Sequence, residues 1–270
     1  MTKSEAALQE QYDAVILGGG RAPWLLPLAG TDVRCLARLD GVRLLDYVAA
    51  ALRASGRIRR MLLAVDADVA VKMQQMQQAG EVAQDIEICT GGANLPETCL
   101  LAAQKLGRRQ KILFICDDIP LVSGDAIDDF LSRCEKFPLG ELYYPVIRRE
   151  TCLRAYPEAK RTFGTLRDGS FTGGNMMLVA SWVIPRGQKK AKEIFARRKN
   201  PLALCRWLGW SFIFKLLLRR LDTQQAQARV CQLMEMDSRL IISDYAAVGM
   251  DIDKPEDLAL AAEAVRKLPR

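Results

Sequence analysis

The chain has 270 residues, of which 50% are apolar and 26% are charged, a balance that is ordinary for a soluble globular protein. It contains no histidine, which excludes Ser/His/Asp and Cys/His nucleophilic catalysis and any imidazole-ligated metal. The remaining chemistry depends on carboxylates, basic side chains and backbone amides. Phosphoryl or nucleotidyl transfer suits these groups, because positioning and charge neutralisation dominate it.

The net charge of +7 is unevenly distributed, since the segment 186–220 holds eleven Lys or Arg residues against the single acid Glu193. The eight cysteines form no C-x-x-C pair, which favours free thiols in a reducing cytoplasm over disulfides or a zinc site. Residues 1–11 lack the apolar core of a signal peptide, and no run of about 20 apolar residues could span a bilayer. We therefore expect a cytoplasmic protein.

Strand and helix signals alternate along the first half of the chain. In chain order they predict strand 14–17, helix 44–54, strand 61–65, helix 68–79, strand 86–89, helix 96–106, strand 111–115, a helix capped by Ser123 that runs to Cys134, and strand 142–147. Alternation at this spacing predicts an α/β, Rossmann-like fold with a mostly parallel sheet and right-handed crossovers.

The regular alternation ends after residue 147. Strands 161–166 and 170–172 are predicted to form a hairpin around the turn Asp168-Gly169, and an apolar strand 176–180 follows. The later elements are predicted to be a largely helical stretch 185–233, short strands 238–243 and 248–251, and a last helix 255–267. We therefore divide the chain into an α/β domain of residues 1–184 and 238–270 and a basic helical insertion of residues 185–237.

Two adjacent carboxylates, Asp117 and Asp118, follow the buried strand 111–115. The carboxyl ends of parallel strands form the edge at which open α/β sheets bind ligands. Adjacent acids repel one another unless a cation or hydrogen-bond donors compensate them, and Mg²⁺ would do so. The alternative is ordinary turn chemistry before Ile119-Pro120, in which the Asp side chains bond nearby amides.

The triplet Gly18-Gly19-Gly20 comes directly after the first strand, and Arg21 follows it. Successive amides in such a loop form a concavity that binds anions, which predicts a phosphate site. A purely structural turn is the alternative, because the loop has neither the Walker lysine nor the full dinucleotide fingerprint.

The tail segment Asp251-Ile252-Asp253 lies just before the last predicted helix. Asp253 is a candidate N-cap, and Glu256 three residues later would complete a capping box. A carboxylate can cap a helix and still face a cleft, so this interpretation is compatible with a functional one.

Four segments occur in the order seen in one protein family. They are AVILGGG at 14–20, LDGVRLLDYV at 39–48, DIPLV at 118–122 and DIDKPEDL at 251–258. On these segments the chain resembles the MobA-like NTP transferases, which include the molybdenum-cofactor guanylyl- and cytidylyltransferases and the sugar-phosphate nucleotidyltransferases. The resemblance covers about residues 13–180 and 238–266, and it implies a GT-A-like nucleotidyltransferase fold that binds a nucleoside triphosphate over the first loop.

The resemblance also implies roles for particular residues. Asp118 and Asp253 would hold Mg²⁺. Asp117 and Asp251 would support these two ligands without binding the ion themselves. The implied catalytic residues are Arg21, Arg34, Asp118 and Asp253. The implied nucleotide-binding residues are Leu17, Gly18, Gly19, Gly20, Arg21, Gly91 and Gly92.

The first loop departs from the family pattern, which usually continues Gly-x-Gly-x-Arg-Met and later supplies a lysine to the phosphates. Here Arg21 follows the triplet directly, no methionine comes next, and Arg34 occupies the approximate position of the lysine. An arginine can clamp phosphate oxygens in a bidentate manner, so the role of the charge is retained.

A middle group of residues looks like the acceptor side of these folds. Its members are Lys160, Arg161, Gly173, Gly174 and Asn175. The two basic side chains would meet an acceptor phosphate, and the glycine amides allow close approach. A solvated basic turn followed by a β-bulge is the alternative.

Residues 207–218 read as a helix that is apolar almost all round. Such a helix is either buried or placed at an interface, and the basic residues before it would be attracted to an anionic bilayer. We favour a helical cap on the sheet or a contact in a homodimer. Peripheral contact with the inner membrane face through residues 186–220 is the alternative, and no nucleic-acid-binding module is recognisable.

The sequence thus predicts a Mg²⁺-dependent nucleotidyltransferase, in which a small phosphorylated acceptor attacks the α-phosphorus of an NTP and expels pyrophosphate. Two alternatives stay open. One is a GT-A-like glycosyltransferase that consumes a nucleotide-sugar and uses Asp251-Ile252-Asp253 as its metal motif. The other is a non-catalytic protein that binds nucleotide or docks to a membrane.

Overall fold

A computed structural model of the protein describes residues 10–107, 109–197, 209–218 and 220–267. Within these ranges, all strands except a short two-stranded ribbon, β2 and β3, belong to one nine-stranded sheet. In chain order the strands are β1 (Tyr12–Leu17), β2 (Arg38–Leu39), β3 (Val42–Arg43), β4 (Ile58–Val65), β5 (Ile86–Thr90), β6 (Lys111–Cys116), β7 (Leu142–Arg148), β8 (Gly164–Leu166), β9 (Gly169–Gly173), β10 (Met176–Ala180) and β11 (Ser238–Ser243).

Helices connect most of these strands. They are α1 (Leu26–Ala29), α2 (Leu44–Ala54), α3 (Ala67–Gln78), α4 (Leu95–Leu106), α5 (Gly124–Glu135), α6 (Arg149–Ala155), α7 (Ile184–Arg197), α8 (Trp210–Leu217), α9 (Thr223–Met234) and α10 (Pro255–Lys267). Short 3₁₀ turns cover Pro23–Leu25, Arg34–Leu36 and Ala246–Gly249.

The strand order of the sheet is β5-β4-β1-β6-β10-β7-β9-β8, and β11 lies beside β7. The first four strands of this order are parallel, and β11 is parallel to β7. The strand β10 runs antiparallel to both of its neighbours, β6 and β7. The structure therefore confirms the predicted α/β, Rossmann-like fold with a mixed, mostly parallel sheet.

The central strand β1 shows why the sequence forms this sheet. Its residues Ala14, Val15 and Ile16 are fully buried. Val15 packs in the core that contains α4, whereas Ile16 packs in the core that contains α2 and α5. Because successive side chains of a strand point to opposite faces, a sheet covered by helices on both faces needs apolar residues at every position. The glycine loop after β1 is thereby placed in the middle of the carboxyl edge.

Two element predictions are wrong in part. A strand is predicted at 248–251, but the structure has the 3₁₀ turn Ala246–Gly249, which covers the first two of these residues. The carbonyl of Val248 accepts a bond from the amide of Asn175. An apolar run this short does not distinguish a strand from a buried turn. The predicted strand 161–166 forms only over Gly164–Leu166, where it pairs with β9.

Within the described ranges the predicted insertion 185–237 contains α7, α8 and α9, and residues 198–208 and 219 lie outside those ranges. Helix α7 packs on the α4 side of the sheet, where Ile184 is buried in the core around Phe114 and Val179. The interpretation of residues 207–218 as a helical cap or a homodimer contact stays a prediction. No helix within the described ranges has the length and apolar character that a membrane span needs.

Candidate functional site

A cavity of about 390 Å³ lies at the carboxyl edge of the sheet. Because β5, β4, β1 and β6 are adjacent and parallel, the loops that follow these strands meet there. The sequence-predicted residues that line the cavity are Leu17, Gly19, Gly20, Arg34, Gly91, Gly92, Asp117 and Asp118. Residues from four separate segments of the sequence are thus brought to one site.

The three glycines of the first loop have different roles. The amide of Gly18 donates to the carbonyl of Ala64 at 2.9 Å, and a Cβ at this position would lie 2.8 Å from Leu63 Cδ1. Gly18 is therefore required for close packing, and its amide is not available to a ligand. Within the described residues, the amides of Gly19 and Gly20 have no protein acceptor. These two amides can bind an anion in the cavity.

The second glycine pair leads into the N-terminus of α4. The amide of Gly92 donates to Thr98 Oγ1 at 3.0 Å, and the side chain of Asn94 caps α4 by accepting from the amide of Glu97. Residues 91–95 all line the cavity, so the positive end of the helix faces it and favours a phosphate. The sequence analysis missed Asn94 and Thr98, although the Asn94-x-x-Glu97 capping pattern is a recognisable signal.

The carboxylates predicted to share a metal ion lie together. Asp118, Asp251 and Asp253 each offer an oxygen, and these oxygens lie within 4.8 Å of one another. A main-chain bond explains the meeting, because the amide of Ile252 donates to the carbonyl of Asp118 at 2.9 Å. Asp251, predicted to support the site from behind, is thus a full member of the cluster.

Two arginines pair with these carboxylates. Nη1 of Arg34 bonds Asp118 and lies 3.4 Å from Asp253 Oδ1. Arg161 forms an ion pair with Asp251, and Asn175 Nδ2 donates to Asp251 Oδ1 at 3.4 Å. Arg34, Arg161 and Asn175 are therefore all brought to the acidic cluster.

Buried oxygens without partners test whether the cluster fits a cation. Asp118 is only 5% exposed, and within the described residues its Oδ1 and the Oδ2 of Asp117 have no hydrogen-bond partner. Burial, the dominant cause, raises the pKa of the Asp118 carboxyl; Asp251 and Asp253 raise it further, and Arg34 opposes them. Carboxylate oxygens are the ligands that Mg²⁺ prefers, so the donor set fits this ion.

Asp117 is buried behind the cluster, where it positions the turn that carries Arg34. Its carboxylate accepts a bond from the amide of Cys35, in the 3₁₀ turn Arg34–Leu36. Burial, followed by the like charge of Asp118, raises the pKa of the Asp117 carboxyl above its ordinary value. The supporting role of Asp117 toward the metal ligands stays a prediction.

Some predicted site residues lie away from the cavity. Arg21 is outside the lining, and its guanidinium pairs with Asp32, Asp66 and Asp68 on the surface. Lys160 is exposed. Among the residues predicted to bind the acceptor, the amide of Gly174 is bonded to the carbonyl of Pro145 and is not available to a ligand.

Two further details differ from the sequence interpretation. A Cβ at Gly173 would come within 3.2 Å of the ring of Tyr144, so this glycine allows close packing of the two strands. The predicted capping box of Asp253 with Glu256 is wrong, since the amide of Asp253 donates to Asp257 Oδ2. The carboxylate of Asp253 is directed instead at Arg34 and the cluster.

Comparison with known proteins supports the fold assignment. No protein-family model and no curated protein matches the chain. A hypothetical transferase from Thermus thermophilus is 28% identical, with a TM-score of 0.78 over 92% of this chain and 99% of that chain.

Two structures with lower identity point to the same fold. A 4-diphosphocytidyl-2C-methyl-D-erythritol synthase from Anaerococcus prevotii is 12% identical, with a TM-score of 0.60 over 96% of this chain and 97% of that chain. A CMP:2-keto-3-deoxy-manno-octonic acid synthetase, solved in complex with CTP, is 11% identical, with a TM-score of 0.61 over 96% of this chain and 99% of that chain. The protein therefore has a nucleotidyltransferase-type fold, and the narrower MobA-like resemblance stays a prediction.

The raised pKa of Asp117 predicts the pH dependence of stability. The folded protein keeps a proton on this carboxyl at pH values where the unfolded chain has lost it, so the free energy of unfolding should fall as the pH rises above about 4. We expect Asp117→Asn to flatten this fall between about pH 5 and about pH 8, measured by denaturant unfolding in metal-free buffer.

Asp85→Asn is the matched control for this measurement. A hydrogen bond from Arg53 lowers the pKa of Asp85, so this group titrates below the tested range and its replacement should leave the slope unchanged. Equal slopes for wild type and Asp117→Asn would contradict the assignment.

Proposed function

We propose that this protein is a Mg²⁺-dependent nucleotidyltransferase, which moves an NMP from an NTP to a phosphorylated acceptor and releases pyrophosphate. The observation that carries the proposal is the meeting of Asp118, Asp251 and Asp253 beside a cavity that presents the amides of Gly19 and Gly20. The CTP complex of the synthetase with a similar fold supports a nucleoside triphosphate as the donor.

The three carboxylates would hold the Mg²⁺ ion. When bound, such an ion polarises phosphate oxygens and neutralises the charge that develops on the leaving group. Asp118 is buried and fixed by the strand before it, whereas the Asp253 side chain is 66% exposed and can adapt to the bound ligand. The cluster therefore combines a rigid ligand with an adjustable one.

The chain's own donors would hold the triphosphate. Gly19, Gly20 and the N-terminus of α4 line the same cavity. They are held by the strand ends and need little reorganisation when negative charge moves during the reaction. The guanidinium of Arg34 lines the cavity too, between these amides and the carboxylates.

Arg161 and Asn175 would define the acceptor side. Both contact Asp251, at the end of the cluster away from Arg34. A phosphate acceptor is already an anion near neutral pH, so its attack on the α-phosphorus needs no histidine base. The reaction is therefore compatible with a chain that has no histidine.

Replacing Asp118 tests the proposed reaction. We expect Asp118→Asn to lower kcat/KM by roughly two to three orders of magnitude, because it removes one charge where transition-state charge is stabilised. The measurement is pyrophosphate release with each NTP and candidate phosphorylated acceptors. Asp85→Asn, at the opposite edge of the sheet and half-exposed, is the control that should keep wild-type turnover.

The product distinguishes the proposal from its alternatives. A glycosyltransferase would release a nucleoside diphosphate or monophosphate, and a non-catalytic protein would release nothing. Undiminished pyrophosphate release by folded Asp118→Asn protein would contradict the role of the carboxylate.

Ligand-induced stabilisation tests the donor. Because a ligand that binds only the folded state stabilises it by about 2.7 kcal/mol at a concentration of 100 Kd, we expect one of the four NTPs to raise the Tm clearly in the presence of Mg²⁺. The measurement is a thermal-shift comparison of the four NTPs with Mg²⁺ and with EDTA. If no NTP changes the Tm under either condition, the donor assignment fails.

A peripheral membrane contact is a second proposal, which concerns location rather than chemistry. Phe214 and Leu218 lie one helical turn apart at α8 and are 62% and 61% exposed. They belong to a segment, 186–220, that is strongly basic in sequence, and exposed apolar side chains in such a segment are typical of contacts with anionic bilayers.

Vesicle sedimentation tests this contact. We expect Phe214→Ser to reduce binding to vesicles that contain anionic phospholipid by at least about threefold, since it removes an exposed apolar anchor. Leu139→Ser, at an 85% exposed site outside the insertion, should leave binding unchanged. Wild-type protein that stays in the supernatant would end this proposal.

A further inference from the structure

Arg34 lies where a cation bound by the carboxylates would be expected. One of its guanidinium nitrogens, Nη1, contacts both Asp118 and Asp253, two of the three residues in the acidic cluster. The third, Asp251, is paired with Arg161 instead. In the protein alone, the charge of Arg34 thus compensates two carboxylates that come from distant parts of the sequence.

The backbone of Arg34 is held by main-chain bonds, while its guanidinium contacts the carboxylates through Nη1 and leaves Nε without a partner within the described residues. The amide of Arg34 donates to the carbonyl of Gly20 at 3.0 Å, and Asp117 fixes the next residue, Cys35. By contrast, Nε of Arg34 is buried and has no acceptor within the described residues. The guanidinium is therefore incompletely satisfied where it lies, and it can move without moving the loop.

Gly20 makes room for this position of the guanidinium. A Cβ at residue 20 would come within 2.6 Å of Arg34 Nε, so any side chain there would push the guanidinium aside. The three atoms nearest to this Cβ all belong to the flexible guanidinium end of Arg34. Replacing Gly20 by alanine would therefore move the charge of Arg34 without removing it.

An independent observation indicates that the carboxylates are not saturated by Arg34. Asp118 is 95% buried and lines the cavity, yet its Oδ1 has no partner within the described residues. A buried carboxylate oxygen without a donor is unfavourable, and a cation could satisfy this oxygen together with Asp251 and Asp253.

We propose that Arg34 is an exchangeable counter-cation. In the protein without a divalent ion, its guanidinium occupies the cation site, and a divalent ion displaces it on binding. The displaced guanidinium remains beside Gly19 and Gly20, where it would pair with phosphate oxygens. Arg34 would thus neutralise the acids in the protein without a divalent ion, and the nucleotide in the protein that has bound one. This inference rests on the proposed function, which identifies the ligands as a divalent ion and a nucleotide. The test of the inference does not depend on that function.

The proposal has a quantitative consequence for metal affinity. When a ligand binds only one of two states of a protein, its apparent Kd is the intrinsic Kd divided by the fraction of molecules in the state that binds. If the guanidinium occupies the site in about nine of ten molecules, removing it should tighten cation binding about tenfold.

The experiment measures Mn²⁺ binding without nucleotide, by the loss of the electron paramagnetic resonance signal of free Mn²⁺. We expect Arg34→Gln to bind Mn²⁺ about tenfold more tightly than wild type. Gly20→Ala keeps every charge but displaces the guanidinium, so it should also bind Mn²⁺ more tightly. Arg38→Gln removes one charge at an exposed site that bonds only Gly41 in the structure, and it should behave like wild type.

These variants separate displacement from a general effect of charge. Tighter binding by both Arg34→Gln and Gly20→Ala, but not by Arg38→Gln, supports the proposal. Three outcomes would overturn the proposal. The first is an equal gain in Mn²⁺ affinity for Arg34→Gln and Arg38→Gln, and the second is unchanged or weaker Mn²⁺ binding by Gly20→Ala. The third is the absence of Mn²⁺ binding in every variant. If Arg34→Gln does not fold, Gly20→Ala against Arg38→Gln decides the matter alone.

The outcome is independent of the proposed reaction. The titration contains no nucleotide, so Arg34 displacement can be observed even if no NTP is ever turned over. Conversely, a protein that releases pyrophosphate but shows equal Mn²⁺ affinity in all variants would retain the proposed function and lose this inference.

Discussion

Three carboxylates held within 4.8 Å of one another are the constraint around which the edge of the sheet is organised. Like charges this close repel, and burial of Asp118 increases the penalty because little water reaches it. The chain compensates with two arginines, Arg34 paired with Asp118 and Arg161 paired with Asp251. The compensation is incomplete at Asp118, where Oδ1 has no partner within the described residues, and this is the observation behind the proposed cation site.

Main-chain bonds, more than side chains, bring the distant segments together. The carbonyl of Asp118 receives the amide of Ile252, and the carbonyl of Asn175 receives the amide of Cys116. Asn175 in turn donates its amide to Val248, so β6, the start of β10 and the 3₁₀ turn form one connected framework. Substitutions at the charged side chains can therefore change chemistry while leaving the framework intact, which makes the site suitable for mutational tests.

Much of the site was predictable from local sequence patterns. The buried run of β1 followed by glycines, and the apolar strand that ends in Asp117 and Asp118, indicated where a parallel sheet would present its ligands. The pairing of Asp118 with Asp253 came from the family resemblance, because no local pattern connects residues so far apart. Local patterns failed where a short apolar run is ambiguous, as at 248–251, and where an amide already donates to a main-chain carbonyl, as at Gly18 and Gly174.

The sequence by itself determined the α/β class, the glycine loop and the identity of the acids, since these depend on periodicity and on residue type. Only the tertiary structure decided which groups meet. It placed Arg34 between the carboxylates, directed Arg21 to surface acids, and added Asp251 to the cluster. The physical reason is that the direction of a long charged side chain depends on which opposite charges the fold brings within reach, and contacts between residues far apart in the chain leave no local pattern in the sequence.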